Sequence, residues 1–248
     1  FPWFRIPASE AAIWEPRAGI LYPERAVGYF IRQAGRQGAA FSMDNPVDRW
    51  EAVAGGYRVF TGKGVYSTRQ LLLSSGPWLQ QVMPAAPLRL SVERQVQYWF
   101  HPREPQANLL PGRFPVFLWE QNRGDMYYGF PDLGDGIKLA KHHGGLTVDP
   151  DHLSRVVEER ELLLMRAWVD QYLPEAGGQL RGSSVCMYSN TRDRHFRFGS
   201  YPGMRGVWYA SVCSGHGFKF SPVMGEVLTQ MIGGESVGFG LELFCRDI

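Results

Sequence analysis

The 248-residue chain reads as a mixed α+β (α/β) protein in three blocks: helix and strand over 1–84, an antiparallel sheet over 85–180, and helix and strand again over 181–248. Two kinds of periodicity carry that reading. Apolar residues alternate with polar ones at Leu88, Leu90 and Val92, then at Val96, Tyr98 and Phe100, the period of a strand with one buried face. Helical spacing flanks this region: Ala26, Val27, Phe30, Ile31 and Ala34 before it, and Val223, Val227, Leu228, Met231 and Ile232 after it.

Taken in order, 18–22 (AGILY) reads as a short strand ended by Pro23, and the helix that follows closes at Gly35 and Gly38. Residues 57–67 read as a hairpin around Thr61-Gly62-Lys63-Gly64. The run 70–74 (QLLLS) reads as a buried strand, and Trp78 opens a short helix after Ser75-Gly76-Pro77. Beyond Pro87, the strands 115–120, 126–130 and 136–140 join the alternating segment in one antiparallel sheet. Asp151 to Leu173 reads as mostly helical, with Leu162, Met165, Val169 and Leu173 inward and Pro174 as the stop. Strands at 183–189 and 206–213 follow, then a loop at 214–221. A last helix has Pro222 in its first turn, where a missing N–H is harmless, and Gly233-Gly234 end it.

Composition narrows the function. Hydrophobic residues make up 44% and charged residues 20%, with a net charge of +2. A balance so close to neutral offers no electrostatic reason to bind nucleic acid or an anionic membrane. No apolar run approaches the ~20 residues that span a bilayer, and FPWFRIPASE at the start lacks the pattern of a signal peptide. With no Met at the start, the chain is expected to be processed or to be part of a longer gene product. Cys186, Cys213 and Cys245 form no CxxC pair, so no disulfide scaffold or zinc site is expected, and a reducing, cytoplasmic setting fits. Aromatic residues at 14% either fill a core or line a pocket.

The most informative stretch is Ser214-Gly215-His216-Gly217-Phe218-Lys219-Phe220-Ser221. A strand enters a glycine loop and the loop enters a helix, which presents unpaired N–H groups and the positive end of a helix dipole. Such an end suits an anion, glycines allow close approach, and Lys219 adds a full charge. The plain alternative is a tight turn with a solvated lysine. Cys186 lies mid-strand in an apolar context, where a free cysteine is ordinarily a small buried hydrophobe. Lys138 points to the opposite face of its strand from Ile137 and Leu139, toward solvent or toward a site. The pair His142-His143 has no third ligand at useful spacing, so a solvated loop is favoured over a metal site. Tyr128 and Tyr188 suit sheet packing with bonded hydroxyls.

Three stretches together resemble one family. SGHGFKFSPVMGEVL (214–228) is similar to the C-terminal signature of the monomeric sarcosine oxidase and N-methyl amino acid oxidase family, within the D-amino-acid-oxidase-like FAD enzymes. Val185-Cys186-Met187-Tyr188-Ser189-Asn190-Thr191, with Asp193, His195 and Phe196, resembles the segment whose cysteine bonds covalently to flavin. Tyr127 to Pro131 followed by Gly136 to Leu139 resembles the strands that line the active site. The likeness runs along nearly the whole chain, more loosely before Pro87.

The resemblance implies a partial FAD-binding Rossmann-like domain (1–84 and 181–248) with an antiparallel-sheet substrate domain (85–180). It implies a flavin-dependent oxidase of a small secondary amino acid that yields an imine and, from molecular oxygen, hydrogen peroxide. It implies a thioether from Cys186 to the flavin 8α carbon, oxygen activation by Lys138, substrate contact by His142, Tyr128 and Tyr188, and carboxylate binding by Lys219. Gly215, His216, Gly217, Phe218 and Lys219 would border the cofactor, and Gly76 resembles a further cofactor-contacting turn. No metal is implied. A GxGxxG fingerprint, the expected diphosphate grip of such a fold, is absent from the 248 residues. The chain is therefore expected to lack the family's first third and first βαβ unit, to be inactive alone, to hold FAD weakly or not at all, and to self-associate through the truncated face. Two alternatives stand beside this one: a dehydrogenase of the same fold, and a non-catalytic binding fragment. Trp119 is a candidate for limiting substrate size.

Overall fold

The computed structural model describes residues 1–83, 88–103, 108–121 and 124–245. In chain order the elements are α1 (Pro23–Arg36), β1 (Val47–Val53), β2 (Gly56–Thr61), β3 (Gly64–Thr68), β4 (Leu71–Leu73), α2 (Leu79–Val82) and β5 (Ser91–Phe100). Then come β6 (Phe117–Gln121), β7 (Asp125–Phe130), β8 (Ile137–His142), α3 (Glu159–Tyr172), β9 (Leu180–Asn190), β10 (Arg197–Ser200), β11 (Val207–Ser211) and α4 (Ser221–Gly233). They form two compact units, 1–20 with 92–187, and 21–91 with 188–248. Residues 1–20 thus pack with the large sheet rather than with the residues that follow them. The boundary expected near 84, and Pro87 with it, falls outside the described residues.

The first unit is built on a five-stranded sheet of order β6-β7-β8-β5-β9. The pairs β6–β7, β7–β8 and β8–β5 are antiparallel. Period-two alternation splits the side chains between two faces. One face carries Tyr98, Phe100, Trp119, Ile137 and Leu139, which α3 covers with Met165, Trp168 and Val169. Trp3 and Phe4 pack against the same core, and Arg5 N–H donates to the Tyr172 carbonyl at 2.9 Å. At roughly 1.5–3 kcal/mol for each large apolar side chain removed from water, this face is the main source of the unit's stability. Trp119 belongs here, not in a substrate pocket: its partner across the strands is Tyr127, its ring packs on Trp168 at 5.7 Å, and its indole N–H donates to Glu10 at 2.5 Å.

In the second unit a meander β1-β2-β3 stands beside a small sheet of order β10-β11-β4. In that sheet β11 pairs with β4 in parallel, and with β10 antiparallel. Tyr57, Leu73, Leu79, Tyr201, Val207 and Tyr209 form one core. Phe196, Phe198 and Ala210 form another with Met224, Val227 and Leu228 of α4.

Several sequence expectations are corrected. Residues 18–22 form no strand, and Pro23 opens α1 instead of closing a strand; Leu21 and Tyr22 stay exposed, so no partner makes an extended segment favourable. The helix expected from Asp151 begins at Glu159, because Leu153 and Glu158 are extended. Strands β1 and β10 were not anticipated; β1 is largely exposed and lacks a clean alternation. No buried residue lies on α1 despite its apolar stripe. Among the described residues no helix is long and apolar enough to cross a membrane, and no group of three or more His, Cys, Asp or Glu is placed to hold a metal ion.

Candidate active-site face and glycine loop

The face of the five-stranded sheet opposite α3 collects all of the first unit's expected site residues. Register shows how. Lys138 of β8 stands opposite Trp99 of β5 and Phe130 of β7, and Ala140 stands opposite Gln97 and Tyr128. Residues paired this way share a face, as do residues two apart on one strand. Tyr128, Lys138 and His142 therefore line up on one side. Gln97, from the same side, donates its amide N–H to Cys186 Sγ of β9 at 3.4 Å. The sequence's apolar alternation identified the core face through Val96, Tyr98 and Phe100. The intervening Gln97 and Trp99 went unmarked, although the same parity pointed to them.

Lys138 is half-buried, and its ammonium lies 5.3 Å from the Trp99 ring centroid and 5.4 Å from that of Phe130. Two ring faces stabilise a cation in a partly desolvated place. His142, at the end of β8, has the Tyr128 ring edge-on at 6.1 Å and the His143 ring tilted at 4.2 Å. Tyr188, two residues beyond Cys186 on β9, is buried.

The other face of this sheet opens on a cavity of about 440 Å³ between β5, β7, β8 and α3. Charges there are paired. Arg94 forms an ion pair with Glu161 and donates to the carbonyls of Ser154 at 3.0 Å and Val156 at 2.6 Å. Lys141 pairs with Asp125 at 2.8 Å. Burial would raise the Glu161 carboxyl, but hydrogen bonds from Arg94 and the Glu158 N–H outweigh it, and its pKa lies below the ordinary 4.5. Burial, with the Glu161 charge nearby, pushes the Tyr98 phenol up to about 12.

In the second unit the glycine loop is held from several sides. Ser214 is buried with φ of 42°. Its N–H donates to the Ser189 carbonyl at 3.0 Å, and its hydroxyl accepts from the Thr191 N–H at 3.3 Å. Gly215 follows with φ of 77°. Gly217 packs so closely on the preceding strand's end that a Cβ would sit 1.9 Å from the Val212 carbonyl oxygen. His216 Nδ1 donates to the Ser214 carbonyl at 2.9 Å, and its ring stacks on Phe196 at 4.8 Å. Phe218, Lys219 and Phe220 form a single 3-10 turn leading into α4. Lys219 is exposed and makes no ion pair among the described residues; its ammonium lies 5.3 Å from the Phe220 ring. Gly76 has φ of 57° at the start of the 3-10 turn Gly76–Trp78.

Comparison with known proteins gives consistent results. The family described as FAD dependent oxidoreductase (DAO) matches residues 1–231. Monomeric sarcosine oxidase of Streptomyces avermitilis is 34% identical over 235 residues, covering 93% of this chain and 61% of that protein. N-methyl-L-tryptophan oxidase of Salmonella newport is 31% identical over 252 residues, covering 98% of this chain and 65% of its own length. Among solved structures, L-proline dehydrogenase from P. horikoshii shares the fold with a TM-score of 0.76 at 16% identity, over 90% of this chain and 58% of that one. The chain thus spans about three-fifths of the length of the curated relatives it matches. On the extent of the family match and of the identity to these relatives, the chain belongs to the family of FAD-dependent oxidoreductases.

Proposed function

We propose that this chain carries the substrate-facing sheet and part of the cofactor surround of a flavin-dependent oxidase of a small secondary, N-methylated amino acid. The observation that carries the reading is the shared sheet face of Tyr128, Lys138, His142 and Cys186. It is supported by the relatives' own activities as sarcosine and N-methyl-L-tryptophan oxidases.

The donor set on that face suits the flavin end of FAD. A thiol accepts an amide hydrogen bond, an ammonium lies between two aromatic rings, and a phenol and an imidazole stand beside them. Gln97 donates its amide N–H to Cys186 Sγ, and a cysteine sulfur so placed would be the one to form the thioether. When bound, FAD would accept the hydride equivalent from the carbon next to the amine nitrogen and pass the electrons to oxygen. Lys138 would present a fixed positive charge where oxygen gains negative charge. Lys219 would hold the substrate carboxylate as a point charge, while His142, Tyr128 and Tyr188 orient the amine. Gly215 to Phe218 and Gly76 would border the cofactor. The 248 residues contain no GxGxxG, so weak affinity for FAD and little turnover by this chain alone are part of the proposal.

The test joins these 248 residues to a preceding strand-GxGxxG-helix segment, reconstitutes the longer chain with FAD and reads the flavin absorbance of the acid-precipitated pellet, followed by peroxide assay with N-methylated amino acids. Colour should stay with the precipitated protein, Cys186→Ser should release it, and Lys138→Met should lower peroxide formation by about 100-fold. An unaltered pellet from Cys186→Ser rules out the covalent attachment. Turnover with an artificial acceptor but no peroxide would make the protein a dehydrogenase.

A further inference from the structure

We propose that Glu93 and His143 are positioning residues that hold the His142 imidazole in one orientation. The inference rests on the reading of His142 as a substrate-facing residue. It begins with backbone geometry. His143 has φ of 66°, a left-handed conformation that is unfavourable for a non-glycine residue and persists only where surroundings enforce it. That turn takes the chain from His142, on the Lys138 face, to a buried His143.

What enforces the turn is Glu93 of β5. Its buried carboxylate accepts from the Gly145 N–H at 2.7 Å, from Gln95 Nε2 at 2.8 Å and from His143 Nδ1 at 3.1 Å. Opposite an ionised carboxylate, which only accepts, His143 would carry its proton on Nδ1. The segment after His143 is laid along β5: Arg94 N–H donates to the Leu146 carbonyl at 2.8 Å, and Val148 N–H to the Val92 carbonyl at 2.9 Å. A Cβ at Gly145 would sit 1.8 Å from the Arg94 carbonyl oxygen, so the segment has no room to slide. His143 is thereby fixed by a charge-assisted bond on one side. Its ring in turn stands 4.2 Å from that of His142, whose neighbour on β7 is Tyr128. The chain of contact runs from Glu93 through His143 to His142, and Glu93 itself need touch neither substrate nor cofactor.

Side-chain nitrogen NMR of the histidines in this chain tests the proposal without any turnover. The unaltered protein should show His143 protonated at Nδ1. In Glu93→Gln the amide oxygen can still accept from Gly145, but the amide nitrogen faces Nδ1, so His143 should switch to the Nε2–H form and the His142 ring resonances should move with it. In His143→Asn, whose side chain tolerates left-handed φ, the His142 resonances should also move while circular dichroism stays unaltered. Unmoved His142 resonances in His143→Asn, or in a folded Glu93→Gln, overturn the proposal. In the flavin-loaded protein, Glu93→Gln should raise KM for an N-methylated amino acid roughly tenfold, the value of one hydrogen bond, with kcat changed less. A loaded protein that oxidises no such amine defeats the functional reading, and the NMR result then judges this inference alone.

Discussion

Gly217 and Gly76 are both expected to border the cofactor, and the structure gives them different physical reasons for being glycine. At Gly217 the backbone is ordinary in φ but a methyl group would lie 1.9 Å from the Val212 carbonyl oxygen. At Gly76 the space is open, and only a φ of 57° disfavours a side chain. Gly217→Ala should therefore destabilise the protein by about 2 kcal/mol or more through forced backbone movement, while Gly76→Ala should cost about 1 kcal/mol of conformational strain. Urea unfolding of the two variants checks the order, and equal losses would contradict it. The glycine pattern of the loop was legible in the sequence, whereas the carbonyl that forbids a Cβ at Gly217 belongs to the chain's path and was not.

At the scale of the element, α3 shows how one side chain links a helix end to a strand. Glu161 accepts from the Glu158 N–H at 2.9 Å, in the first turn, and also pairs with Arg94 of β5. Its pKa is lowered by those bonds despite burial. A carboxyl whose folded value is depressed adds stability above its unfolded value of about 4.5, and that stability is lost as pH falls through the lower, folded value. Glu161→Gln should thus unfold at lower temperature than the unaltered protein at neutral pH, with the gap closing in acid; a gap that is constant with pH would refute the assignment. Arg94→Met, which strands a partly buried carboxylate, should be worse at neutral pH, by about 3 kcal/mol. The helical spacing of Leu162, Met165 and Val169 announced α3, but not Trp168, which shares their core. Nor did it announce that the segment after Asp151 stays extended: Arg94 takes the carbonyls of Ser154 and Val156, a use that no local pattern encodes.

For the whole molecule the cores are separate, one under the large sheet and two around β4, β10 and β11. Much apolar surface lies outside them. On α1, Val27, Tyr29 and Phe30 are exposed, and Ile13 and Trp14 are also bare. Large apolar side chains left in water favour association. Sedimentation should show self-association that strengthens with concentration, and Phe30→Glu should weaken it; a strictly monomeric protein would contradict this. The net charge of +2 predicts in addition that polyanion columns release the protein at low salt.

Sequence alone determined the strands and helices with strong periodicity, the glycine loop before α4, and the family. Each of these depends on residue order over a short span, where period two or 3.6 and the needs of a turn are written locally. Tertiary structure decided which faces are used. It set Tyr128, Lys138, His142 and Cys186 on one side of a sheet whose strands come from distant segments. It turned Trp119 into core, left no residue of the α1 stripe fully buried, and joined Glu93 to His143 across 50 residues of chain. Strand register and helix covering are settled by long-range burial, and an apolar pattern names a face without naming what lies against it.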